Sequence, residues 1–230
     1  MVLLPKFSTH AFFPFHQPHS SSLAWPQAWR YHTFRWRLAV VLGLLLTLAA
    51  LIPRFFAWVQ ARPGQRLPDP VLDWLPAHDV SGAAFAVIYL GIGLGVVRLL
   101  PRPLRLLRAL WGYLLLHGFR CLCLWLLPLE PPRGLVLLHD PLVDRLFYAA
   151  PSPITKDLFF SGHTATLLLL TLAVPAGWPR RVLIVATALI GLLVLVQHAH
   201  YTYDVLAAVP FAALSFWLAG KVAAFRQRHA

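Results

Sequence analysis

Two short stretches carry the side chains that could do chemistry. FFSGHTATLLLL, at 159–170, sets Ser161, Gly162 and His163 at the lip of an apolar run, and QHAHYTYDVLAA, at 197–208, puts His200 four residues before Asp204. On a continuous helical turn that spacing stands the carboxylate beside the imidazole. A carboxylate so placed accepts a hydrogen bond from one ring nitrogen, fixes the tautomer, and leaves the other nitrogen's lone pair for a substrate. His163, arriving from another helix, can then protonate a departing oxygen. The helix start after Ser161 and Gly162 offers backbone N–H groups where phosphate oxygens bind. Arg120 is the one basic residue well inside an apolar run. A charge there costs about 2.5–3.5 kcal/mol on insertion scales and is retained for a partner. Each residue also has a plainer reading, His163 as an interfacial histidine and His200 with Asp204 as an ion pair at a turn. Their convergence on one side of a membrane favours catalysis.

The elements that must position them follow from composition. Of 230 residues, 59% are apolar and 12% charged, with a mean hydropathy of +0.66, which points to a multispanning membrane protein. Segments of about twenty residues at 38–59, 80–99, 107–127, 159–176, 182–198 and 203–225 could each cross a hydrocarbon layer of roughly 30 Å. Runs of that length with no strand alternation must be helices, because lipid offers the backbone no partner. The expected fold is therefore all-α, a polytopic six-transmembrane-helix bundle over 36–226. A disordered or interfacial segment at 1–35 precedes it and a short cytoplasmic tail at 227–230 follows.

The formal charge of +12 does not imply nucleic acid. The arginines fall between apolar runs rather than in a stripe with interleaved aromatics, so they read as topology signals. With both termini cytoplasmic, the basic groups at 30–37, 98–108, 180–181 and 221–228 fall inside. The acids, Asp140 and Asp144 among them, lie at the opposite mouths with both chemical stretches. Cys121 and Cys123, two apart, match no zinc or thioredoxin spacing and read as packing residues. The first thirty residues show no secretory-signal pattern. A zinc site from His163, His198 and His200 lacks any acidic or cysteine ligand at a metal spacing.

The motifs SGHT and HYTYD resemble the two C-terminal motifs of the sphingomyelin synthase-like branch of the type 2 phosphatidic acid phosphatase (PAP2) superfamily. LPDPVLDWL, at 67–75, and FRCLCLWLLPLEPP, at 119–132, look like that branch's Leu-Pro-Asp element and its arginine-bearing third span. The resemblance implies a PAP2-like core in which His200 is the nucleophile, Asp204 its orienting partner and His163 the acid. It also implies transfer, without metal or organic cofactor, of a phosphocholine or phosphoethanolamine-like head group from a phospholipid donor to a lipid alcohol such as ceramide or diacylglycerol. A phosphohistidine intermediate would carry the group. The broader superfamily's Lys…Arg-Pro element and its Arg six residues before the nucleophile are missing, position 194 being Val. Arg120 is the natural substitute cation, with Lys156 and Asp157 at the lip and Tyr201 as a substrate wall. Hydrolysis of a lipid phosphate or diphosphate is the alternative chemistry, and a transporter the reading from another class, which would spread polar residues through several spans.

Overall fold

Apolar runs flanked by charge give their backbone no partner but itself, and the computed structural model, which describes residues 23–139 and 154–224, folds them as helices. In chain order these are α1 (Trp25–Ala28), α2 (His32–Ala61), α3 (Pro70–Trp74), α4 (Ser81–Leu99), α5 (Pro103–Leu126), α6 (Gly162–Ala173), α7 (Trp178–Val196) and α8 (Thr202–Val222). Among the described residues the only extended pairing is an isolated bridge between Gln65 and Leu129. Helices α2, α4, α5, α7 and α8 are long and apolar enough to cross a bilayer, which marks an all-α integral membrane protein.

The expected fourth span, 159–176, is different. α6 has 12 residues, about 18 Å of rise, well short of roughly 30 Å of hydrocarbon. Six full-length spans are thus not what the described residues show: five qualify, and α6 is a shorter apolar helix. The helix starts late because residues 157–161 are held in a non-helical course. Among their backbone groups, the Asp157 and Phe160 carbonyls accept from Arg120 and the Ser161 amide donates to the Asp204 carbonyl, the condition on which irregular backbone survives at membrane depth.

Short as it is, α6 is the centre of the bundle. It packs against α4, α5, α7 and α8, and Thr164, Ala165, Leu167, Leu169, Thr171 and Ala173 are buried. Close approach depends on small residues, as expected where lipid supplies no hydrophobic drive between helices. A Cβ on Gly91 would lie 2.7 Å from Leu167, and one on Gly112 2.9 Å from Leu169. α2 is peripheral, packing on α5 and burying only Phe34, Leu38, Val41 and Val59.

At the end opposite the chemical motifs, Arg105 closes the C-terminus of α6, donating to the carbonyl of Ala173 at 3.3 Å. Arg108 donates to the carbonyl of Phe216, six residues inside the end of α8, at 3.0 and 3.2 Å while lying 3.7 Å over its ring. Positive charge at a helix C-terminus is favourable, so residues that read as topology signals also have packing partners. Arg37 hydrogen-bonds the carbonyl of Ala224, and Trp25 Nε1 that of Leu100 at 2.6 Å, bringing the start of α2 and the end of α8 to the same end of the bundle. Within the segment expected to be disordered or interfacial, Trp25–Ala28 form α1 and His32–Arg35 the first turn of α2. Residues 1–22, the tail at 227–230, and Asp140 and Asp144 lie outside the described residues.

Candidate active site

The site begins with a carboxylate that touches neither His163 nor His200. Asp69 caps α3, accepting from the amides of Val71 and Leu72, and also accepts from the Thr202 amide at 2.6 Å and the Thr202 hydroxyl at 3.0 Å. The same side chain thus caps one helix and fixes the start of another, α8. Next to Thr202, the buried phenol of Tyr201 donates to the Glu130 carbonyl at 2.8 Å and accepts from the Leu67 amide at 3.1 Å. Tyr201 therefore pins two loops together.

Asp204 folds back over the start of α8. Its Oδ2 accepts from the Tyr201 amide at 2.9 Å and lies 3.3 Å from His200 Nδ1, the carboxylate half of a capping box. His200 itself precedes the helix, whose first residue is Thr202. The expected neighbours on one continuous helical turn are thus neighbours across an N-cap. Both groups are withdrawn from solvent, His200 at 4% exposure and Asp204 at 0%.

One backbone bond joins the two motifs: the Ser161 amide donates to the Asp204 carbonyl at 3.0 Å. Ser161 then caps α6, its hydroxyl accepting from the Thr164 amide at 3.5 Å and the Thr164 hydroxyl at 3.1 Å. This places His163, in the first turn of α6, against His200. Their ring centroids are 6.3 Å apart at 67°, with Phe85 edge-on to His163 at 6.1 Å.

Arg120 lies beneath this pair, 3% exposed. Its guanidinium hydrogen-bonds the Phe160 carbonyl, donates to the Asp157 carbonyl at 3.2 Å and pairs with the Asp157 carboxylate at 2.7 Å. The Asp157 carboxylate, about a third exposed, thus faces the buried Arg120 guanidinium as an ion pair. Gly162 leaves space for this, since a Cβ there would stand 2.8 Å from Arg120 Cζ and Nη1. Arg120 is six residues inside the end of α5, so the site is recessed by about 9 Å.

The structure thus gathers His163, His200, Asp204, Arg120, Asp157, Ser161 and Gly162. Lys156 is directed elsewhere, its Nζ 2.7 Å from both Glu130 Oε1 and the Arg62 carbonyl. His198, two residues before His200, turns away: with φ at +52° its ring nitrogens face the carbonyls of Arg133 and Leu75, each at 2.8 Å. Sequence reasoning missed Thr202, Thr164 and Glu130, which hold the site without touching its centre. Their only signal was that each lies inside one of the quoted motifs.

No curated protein matches the chain. Residues 156–221 match the family model described as PAP2 superfamily C-terminal, a stretch containing every gathered residue except Arg120.

Proposed function

We propose that this protein is an integral membrane lipid phosphotransferase of the sphingomyelin synthase-like kind. It moves a phosphocholine or phosphoethanolamine-like head group from a phospholipid to a lipid alcohol, ceramide or diacylglycerol. The observation that carries the reading is the pair of imidazoles 6.3 Å apart, with a buried carboxylate behind one of them. Rings whose centroids stand that far apart leave space for one phosphoryl centre to lie between them and meet both.

Asp204 engages Nδ1 of His200, which directs Nε2 to phosphorus. As the N–P bond forms, the bond from phosphorus to the diacylglycerol oxygen breaks, and His163 gives that oxygen its proton. In the return step the acceptor hydroxyl forms its P–O bond as the N–P bond to His200 breaks, and the hydroxyl proton passes to His163. Charge developing on the phosphoryl oxygens meets the first turn of α6, whose 12 residues present a helix N-terminus. Arg120 contributes by fixing the 157–160 backbone beneath it and by its own positive charge, partly offset by Asp157.

Burial and recess favour a lipid acceptor over water. Hydrolysis by a PAP2-type phosphatase is the second reading, because the family match covers the residues both reactions would use. A transporter accounts less well for polar groups gathered at one end of the bundle. Both described chain ends lie at the end of the bundle opposite the site. The excess of arginine there supports cytoplasmic termini and an extracytoplasmic site.

The test uses purified protein in detergent with fluorescent ceramide, fluorescent diacylglycerol and mixed phospholipids, its products resolved by thin-layer chromatography beside His200→Ala. A labelled phospholipid product made only by the unmodified protein is the expected result. Water-soluble phosphate alone would favour the phosphatase, and equal product from His200→Ala would end the mechanism.

A further inference from the structure

α5 carries a polar stripe of which the mechanism above uses only the end. Tyr113, His117 and Arg120 stand four and three residues apart, on one helix face. Arg120 belongs to the site; His117 lies one turn deeper, about 13 Å below the Leu126 end by helical rise. Its ring meets that of Tyr113 with centroids 4.3 Å apart at 67°. Both His117 ring nitrogens are buried, and neither has a hydrogen-bond partner among the described residues. A neutral imidazole carries one donor and one acceptor, and lipid tails supply a partner for neither.

The group that fits must be polar enough to satisfy the ring and uncharged enough to reach this depth. A phosphodiester is excluded by its charge, and a carbonyl can only accept. A hydroxyl both donates and accepts, so it satisfies the ring in either tautomer. The approach is lateral: Tyr113, which covers the imidazole, is 37% exposed on the side of the bundle. The stripe also runs into the site, because Arg120 at its end pairs with Asp157 at 2.7 Å.

We propose that His117, covered by Tyr113, is the contact for the hydroxyl of the acceptor lipid alcohol as it comes in from the bilayer, and so biases the phosphohistidine toward lipid rather than water. This rests on the transferase reading. His117 holds the alcohol and exchanges no proton in the transfer step, where the alcohol oxygen bonds to phosphorus, the N–P bond to His200 breaks and the proton goes to His163.

The test follows thermal unfolding of the full chain in detergent with dioctanoylglycerol or its methyl ether, because a ligand that binds the folded state raises the midpoint. The midpoint of the unmodified protein should rise by several degrees with the alcohol and not with the ether; His117→Leu should lose the shift and His117→Gln keep part of it. In mixed micelles with phosphatidylcholine, His117→Leu should lower the ratio of lipid product to released head group at least fivefold. Removing an unsatisfied imidazole should not harm folding, but if His117→Leu fails to fold, Tyr113→Trp, a bulkier cover, should lose the shift as well. Equal shifts with alcohol and ether, or a full shift in His117→Leu, would overturn the contact. His200→Ala should keep the shift and lose transfer. An unmodified protein that shows the shift but transfers nothing would overturn the transferase reading and not the contact.

Discussion

Asp204 shows how much one carboxylate can organise. It caps the backbone of Tyr201, orients His200, and through its own carbonyl receives Ser161 from the other motif. Asp204→Asn keeps an oxygen for the cap but removes the charge that fixes the imidazole. Turnover should fall by about 10²–10⁴-fold with little change in the unfolding midpoint, as steady-state assays and melting of the same preparation would show. Gly162 makes a different point. Ala at that position would press its Cβ to 2.8 Å of the Arg120 guanidinium, so Gly162→Ala should lose most activity. Gly43→Ala, with nothing within 4 Å of the new methyl, should leave activity unchanged and stabilise its helix by up to about 1 kcal/mol. Similar activity in the two variants would mean that the Arg120 position does not matter.

At the scale of elements, α6 is the unit on which the site depends. Its N-terminus must stop below the end of α5 for His163 to meet His200, and Ser161 makes that stop. Ser161→Ala removes the cap and should destabilise by about 0.5–2 kcal/mol, read as a lower midpoint in detergent, with activity falling further than the midpoint because His163 rides on the first turn. The sequence shows only an apolar run from Leu158 to Val174, interrupted by Ser161, Gly162, His163 and three threonines. Hydropathy therefore extends the span through residues that Arg120, some forty positions earlier, holds out of the helix. The other five long helices lie close to their expected ranges, because each is a run whose ends carry charge or proline.

Across the whole molecule, loops at the site end are tied into one surface. Gln197, fully buried, donates to Asp79 at 3.2 Å, Ser81 at 3.0 Å and the Leu137 carbonyl at 3.1 Å, and accepts from the Val80 amide at 2.6 Å. The Ser81 hydroxyl, then the Ser81 amide and Gln197, hold the Asp79 carboxyl down from an ordinary 3.8 to about 2. A depressed pKa contributes stability that is complete above the unfolded value and is lost as pH falls through the folded one. Melting midpoints should therefore decline as pH drops from about 4 toward 2, and Asp79→Asn should flatten that part of the profile; an unchanged acid limb would show that the tie contributes nothing.

The sequence by itself determined an all-helical membrane protein and named the residues that meet in its site, because hydropathy, charge placement and short motifs are local properties that survive without a fold. It could not show that His200 sits outside its helix, that Arg120 is anchored by the 157–160 backbone, or that Lys156 and Tyr201 serve the loops rather than the centre. Those outcomes belong to the tertiary structure, since a long polar side chain in a bundle takes the nearest unsatisfied partner, and which partner is nearest depends on packing between segments far apart in the chain.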